Sequence, residues 1–309
     1  MRVFVTGATG FVGSAIVQEL ITAGHRVLGL ARSTAGAKSL TAAGAEVHRG
    51  DLEDLESLCS GAASSDAVIH TAFNHDFSKY VANCEADRRV IETLGSVLAG
   101  SDRLLIVTSG TGMANLGPGH LRTEDDPPAS SKVVPRAASE EAAASVAARG
   151  VRVAIVRLPQ VHDTVKQGLV TYAIHLAREK GVSAYVGDGL NRWPAAHRLD
   201  TAHLYRLALE KAGKDAIYHA VAEEGLPVRD IAEAIGRGLN VPVVSIAPEK
   251  AAEHFGWLGA FVGWDIPASS AQTREALRWN PTGPGLISDL ENMRYFEPEQ
   301  TTHAAPTPR

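Results

Sequence analysis

Cysteine is scarce: the 309 residues hold only two, Cys59 and Cys84. A disulfide scaffold is therefore excluded, and a reducing, cytoplasmic setting is the expectation. Positive charge is not in surplus. Thirty Lys and Arg against 35 Asp and Glu leave a formal net charge of −5, so nucleic acid is not an expected partner. No uncharged apolar stretch approaches the roughly 20 residues of a bilayer-spanning helix, and no membrane partner is expected. The apolar run that begins with Arg2 is too short for an export signal, because Gly7 ends it. The histidines form no H-E-x-x-H pattern and the cysteines no C-x-x-C pair, so no metal site is expected. Nor is there a G-x-S-x-G elbow. Aromatic residues amount to only 6%, with six tyrosines, and no tyrosine lies between Tyr80 and Tyr172.

What is present is an ordinary globular balance, 45% hydrophobic and 21% charged, with 29 glycines. Its length suits one large domain with a smaller appended lobe. Short β-rich runs at Arg2–Thr6, Arg26–Leu30, Ala45–His48, Ala67–His70, Arg103–Thr108 and Val151–Arg157 alternate with helical stretches. The longest of these helices are Phe11–Ala23, Ser78–Ala99 and Ala137–Arg149. Such alternation predicts an α/β fold with a doubly wound parallel sheet covered on both faces. After Arg157 the rhythm breaks. Helices are expected near Leu169–Lys180, Thr201–Lys211, Val228–Leu239, Pro248–Trp257 and Ser269–Leu277, with a short strand at Val241–Ile246. The division is a nucleotide-binding domain over 1–160, a mostly helical substrate lobe over 161–296 with crossings into the sheet, and a loose tail over 297–309.

The most informative segment is Thr6-Gly7-Ala8-Thr9-Gly10-Phe11-Val12-Gly13, directly after the first strand and opening the first helix. Gly7 allows a tight turn, Gly10 lets a pyrophosphate approach the backbone, and Gly13 permits close packing of helix on strand. The helix N-terminus adds N–H donors and the positive end of its dipole. An ordinary βα turn would not need three glycines at this spacing.

With this loop the chain resembles the short-chain dehydrogenase/reductase superfamily, in its extended branch of NAD-dependent epimerase/dehydratase-like proteins. The resemblance continues through Gly50-Asp51-Leu52, Thr71-Ala72, Val107-Thr108-Ser109 and Val156-Arg157-Leu158-Pro159. It reaches Gly187-Asp188-Gly189 and the His197–Asp200 segment, covering roughly residues 1–292. It implies a Rossmann-type sheet and a bound nicotinamide dinucleotide. The contacts it implies come from Gly7, Thr9, Gly10, Phe11, Val12, Gly13, Asp51, Leu52, Thr71, Ala72, Phe73, Thr108, Leu158 and Pro159. At the end of the second strand Arg32 and Ser33 stand where an acidic residue would bind the ribose 2′-OH of NAD. A guanidinium suits a 2′-phosphate, so NADP is favoured over NAD, with Lys38 adding long-range attraction. The alternative is that Arg32 is a solvated loop charge.

The catalytic pattern departs from the family. Its reductases protonate a carbonyl with a Tyr assisted by a Lys four residues later, on one helix face. Here Arg136 takes the Tyr place and Glu140 the Lys place. Ser109 matches the hydroxyl position, while Thr111 stands where dehydratase-type members carry a catalytic carboxylate. His75, in Phe73-Asn74-His75-Asp76-Phe77 just past the fourth strand, is the first candidate for a replacement proton donor. A loop histidine beside a capping Asp76 or Ser78 is the alternative. His162, after the sixth strand, either lines the pocket or packs against its loop. His70 is expected to be a satisfied buried imidazole and Tyr80 a helix-surface residue. Trp193 and His197 are read as substrate wall or lobe packing, and Lys132 and Lys166 as solvated charges. The leading expectation is an NADP-dependent reductase of a small aldehyde, ketone or imine. A dinucleotide-binding sensor without turnover is the second reading, and a sugar-nucleotide epimerase-like isomerase the third. The helices Ser78–Ala99 and Ala137–Arg149 resemble those of the family's dimer bundle, which leaves a homodimer open.

Overall fold

The structure is a computed structural model that describes residues 1–114, 117, 119–213 and 215–293. The tail expected over 297–309 lies outside the described residues. The first half alternates strictly. It runs β1 (Arg2–Thr6), α1 (Phe11–Thr22), β2 (Arg26–Ala31), α2 (Thr34–Ala42), β3 (Glu46–Arg49) and α3 (Leu55–Ala63). It continues through β4 (Ala67–His70), α4 (Tyr80–Leu98), β5 (Leu104–Gly110), α5 (Ala138–Ala148) and β6 (Arg152–Leu158). Side chains alternate across β1 with the period of two of a strand. Val3 and Val5 enter the layer that holds Ile16 and Leu20 of α1, while Phe4 enters the opposite layer with Leu58, Leu94 and Val146. The sheet is thus covered on both faces, and its strands read as continuous apolar runs for that reason.

The second half comprises β7 (Gln160–His162), α6 (Val170–Lys180), β8 (Ser183–Val186), β9 (Arg192–His197), α7 (Arg198–Lys211) and β10 (Ala216–His219). It ends with β11 (Glu223–Pro227), α8 (Val228–Leu239), β12 (Val243–Ile246), α9 (Ala251–Phe255), α10 (Gly259–Val262), α11 (Ala271–Leu277) and α12 (Leu286–Glu291). β10 returns to the large sheet, whose order is β10-β6-β5-β4-β1-β2-β3 with every pairing parallel. The lobe, expected to be mostly helical, also carries a three-stranded sheet, β11-β9-β7, and the pair β12-β8. No helix among the described residues is long and apolar enough to cross a membrane.

The strand order reverses beside β1, which lies between β4 and β2. At such a switch point the loops leaving the carboxyl ends of neighbouring strands diverge and open a crevice. The glycine loop after β1 and the Thr71–Ala72 segment after β4 flank that crevice.

Candidate active site

The glycine loop is built as a cradle. Gly7 adopts φ +68°, and a Cβ there would stand 2.7 Å from both the Ala72 nitrogen and Thr71 Oγ1. A Cβ on Gly13 would fall 2.0 Å from the Gly7 carbonyl oxygen, so α1 approaches β1 only because residue 13 has no side chain. Gly10 caps α1 in extended conformation without a side chain over the helix end. A cleft of about 370 Å³ opens there, lined by Thr9, Gly10, Phe11 and Ser14 on one side and Asp163, Val165, Lys166 and Arg198 on the other. Arg198 closes its floor. Its guanidinium donates to the Phe11 carbonyl (2.6 Å) and Ser14 Oγ (2.7 Å), and pairs with Asp163 (3.2 Å). This cradle fits a pyrophosphate, with α1 supplying N–H donors.

The other expected cofactor residues fall around the same edge. Ser33 caps α2 by accepting from the Gly36 N–H (3.0 Å). Arg32 is exposed beside it, and Arg49 of β3 donates to the Ser33 carbonyl (2.7 Å). Two guanidinium side chains thus attend the end of β2. Asp51 accepts from the backbone N–H groups of Glu53 (2.8 Å) and Asp54 (3.2 Å), which holds the turn before α3, and Leu52 packs on the core. Thr71 donates to the Thr6 carbonyl (2.8 Å). Thr108 pairs its hydroxyl with Tyr205 (2.6 Å), so its side chain is directed into the core rather than the cleft. Leu158 packs against the same core, followed by Pro159 at the end of β6.

Beyond the loop lies a buried polar hub. Asp87 of α4 accepts from His70 Nε2 (2.9 Å), from Arg136 (2.9 Å) and from the Ser139 hydroxyl. The carboxylate fixes the His70 tautomer, leaving Nδ1 to accept from Thr6 Oγ1 (2.7 Å) at the mouth of the glycine loop. Burial works against the Asp87 charge, but Arg136 and His70 outweigh it and hold the carboxyl below its ordinary range. Arg136 also donates to the Thr108 carbonyl (3.1 Å) and stacks 4.3 Å from the centre of the Phe73 ring. Glu140, one turn on, forms a two-armed ion pair with Arg157 (2.9 and 2.8 Å). Both residues at the Tyr and Lys places are therefore engaged in internal ion pairs. The sequence held one clue to the hub: Asp87 lies on the apolar face of α4 with Cys84, Val90, Ile91 and Leu94. A carboxylate there demands a partner.

None of the three catalytic candidates lines that cleft, although Ser109 and His75 stand at the same carboxyl edge of the sheet, on β5 and past β4. Ser109 is buried at the end of β5, and its hydroxyl has no hydrogen-bond partner among the described residues. His75 packs edge-on between Phe73 (5.3 Å) and Phe77 (6.1 Å). Part of its ring is exposed, yet the protein around it lowers its pKa, helped by the positive charges of Arg136 and Lys166. His162 is different. It is fully buried, and Nδ1 donates to Asp289 of α12 (2.6 Å). Desolvation lowers its pKa despite Asp289, and the ring lies within the lobe, tying α12 to β7. Trp193 is buried in the lobe core. Tyr80 is half-buried near Arg136 and Cys84, with its pKa pushed up to about 12 by burial.

A doubly wound sheet with a glycine cradle at its switch point, a hydroxyl at the end of β5 and a lobe across the cleft defines a dinucleotide-dependent enzyme of the extended short-chain dehydrogenase/reductase type. The model of the NAD dependent epimerase/dehydratase family matches residues 3–222, and the chain belongs to that family. An uncharacterized protein of Schizosaccharomyces pombe is 49% identical over 301 residues, covering 96% of this chain and 100% of its own. A UDP-glucose 4-epimerase of Streptomyces lividans is 26% identical, covering 96% of this chain and 97% of its own. A 2-alkyl-3-oxoalkanoate reductase of Stenotrophomonas maltophilia is 28% identical, covering 80% and 78%. Among solved structures, the dTDP-glucose 4,6-dehydratase of Streptomyces venezuelae with NAD and TYD bound superposes with a TM-score of 0.77 at 19% identity. The superposition covers 96% of each chain.

Proposed function

We propose that the protein is an NADP-dependent reductase of small carbonyl compounds. The observation that carries the cofactor choice is the end of β2. Arg32 and the anchored Arg49 attend it, and the segment Leu30–Gly36 contains no carboxylate. A 2′-phosphate would be welcome there and a bare 2′-OH would lack its usual acidic acceptor. Ser109, whose hydroxyl has no partner among the described residues, suits a carbonyl oxygen, and Thr111, which offers no carboxylate, counts against dehydration. The named reductase among the relatives is consistent with this.

When bound, the reduced nicotinamide supplies the hydride. Ser109 donates its Oγ–H to the substrate oxygen as negative charge develops there. The protonated imidazole of His75 delivers the proton that completes the alcohol. Arg136, held by Asp87, keeps the local potential positive beside the forming alkoxide.

The test is a titration of the purified protein with NADPH and NADH, followed by turnover with an aldehyde and ketone panel. The expected result is NADPH binding at least tenfold tighter than NADH, a margin that shrinks in Arg32→Ala and Arg49→Ala. Equal affinities would overturn the NADP assignment. Tight NADPH binding with no turnover would favour the second reading, a dinucleotide sensor, which the internal ion pairs of Arg136 and Glu140 support.

A further inference from the structure

Aromatic residues are few in this chain, yet they gather in one place. A series of rings starts at the end of β4 with Phe73, continues through His75 (5.3 Å) and reaches Phe77 (6.1 Å). Phe77 crosses to the lobe, stacking on Trp257 at 4.1 Å with the planes only 5° apart. From there the series passes through Phe261 (6.1 Å) to Trp264 (5.1 Å). Trp264 lies against the turn after β5, where a Cβ on Gly112 would be 3.7 Å from its indole. The arc thus leaves the sheet at β4 and returns to it at β5. It spans the ends of the two strands that present His75 and Ser109. Trp257 and Trp264 remain 38% and 37% exposed, so neither is consumed by the lobe core.

We infer that this arc is the substrate-binding wall and that it selects a planar, conjugated carbonyl compound, an aryl aldehyde or aryl ketone, over a saturated one. The inference rests on the carbonyl-reductase reading above. Its physical basis is the quadrupole of aromatic rings, which rewards a planar π-system placed flat on one ring or edge-on to another. Phe77 and Trp257 already cover one another's facing surfaces at 4.1 Å, so a planar substrate would meet the exposed part of Trp257 and the edge-on rings around the pair. A saturated ring of similar size gains only apolar burial. The arc also argues against a nucleotide-sugar substrate. Arg192, which borders it through Asp265, is paired with that carboxylate by two contacts of 3.1 Å, so its charge is already matched within the protein.

The experiment compares benzaldehyde with cyclohexanecarbaldehyde under saturating NADPH, in the wild type and in Trp257→Leu and Phe77→Leu. The expected result is a kcat/KM for the aryl aldehyde about tenfold higher. In either variant that ratio should fall toward unity through a raised KM for the aryl substrate, with NADPH affinity unchanged. Equal or reversed preference in the wild type would overturn the inference while leaving the reductase reading intact. If neither aldehyde turns over, tryptophan fluorescence titration with benzyl alcohol and cyclohexylmethanol separates the two. Aryl-selective binding lost in Phe77→Leu, which keeps every tryptophan as a reporter, upholds the wall and defeats the reductase. Absence of aryl-selective binding overturns the wall.

Discussion

Asp87 is nearly solvent-free, with its side chain 2% exposed, and it is charged only because Arg136, His70 and Ser139 surround it. Removing one partner of such a pair leaves an uncompensated charge in a medium of low dielectric, which costs about 3–5 kcal/mol. Arg136→Met should therefore lower unfolding free energy by about that amount in urea titration, and Arg136→Lys by less. If Arg136→Met left the midpoint unchanged, Asp87 would have to be solvated in a way this geometry does not allow. The same guanidinium acts on His75. Surrounding protein, Arg136 and Lys166 lower the imidazole pKa below its ordinary 6.5, so at pH 7 it is largely neutral. A neutral ring must gain a proton before it can donate one. If His75 is the donor, kcat/KM should rise as pH falls from 7 through 6.5 and below. His75→Gln should be slower and should lose that rise. A His75→Gln profile that parallels the wild type would transfer the role to another group, with Tyr80 less suited because its phenol is held near 12.

At the scale of elements, the turn from β1 into α1 has little tolerance for added atoms. A methyl on residue 13 would meet the Gly7 carbonyl at 2.0 Å and its carbon at 2.7 Å, and backbone atoms cannot swing aside as a side chain can. Gly13→Ala should cost about 1–3 kcal/mol, the range for overpacking. It should also weaken NADPH binding at least tenfold, because the relief can come only from moving the loop. Near-native affinity in a folded Gly13→Ala protein would show that the loop tolerates the shift. These elements were legible in the sequence because their signals are local: a buried strand, three spaced glycines and an amphipathic helix. β7, β9 and β11 were not. β7 has three residues, β9 contains Pro194 and β11 contains Gly225, so each opposes its own strand propensity. They exist because pairing partners are brought from distant parts of the chain, as Gln160 and Glu223 both meet Ala195. The site divides the same way. The cradle, Ser109 and His75 were visible as residues at strand ends. The Asp87 hub, Arg49 and the aromatic arc depend on contacts between distant segments, which no window along the chain contains.

The whole molecule joins its two parts across the cleft. The chain leaves the sheet after β6, builds lobe strands and returns as α7 and β10, so the lobe is anchored at both its entry and its exit. Arg198, first residue of α7, binds the first turn of α1 and Asp163 at once. One wall of the cleft is thus the glycine loop, and the opposite wall is the Asp163–Lys166 segment that follows β7. A dinucleotide seated there would touch both walls, and it has no corresponding site in the unfolded chain. Linkage then requires the folded state to gain about 2.7 kcal/mol at a ligand concentration one hundred times Kd. Thermal unfolding should accordingly move upward with NADPH as one cooperative transition. NADH should match the shift only at concentrations raised by the ratio of the two affinities. Arg198→Met loosens the wall without touching Arg32 or Arg49. It should diminish the shift for both nucleotides equally, whereas Arg32→Ala should diminish it for NADPH alone. A molecule whose midpoint ignores NADPH at millimolar concentration would have a cradle of the right shape that holds no cofactor, and the reductase reading would fall with it.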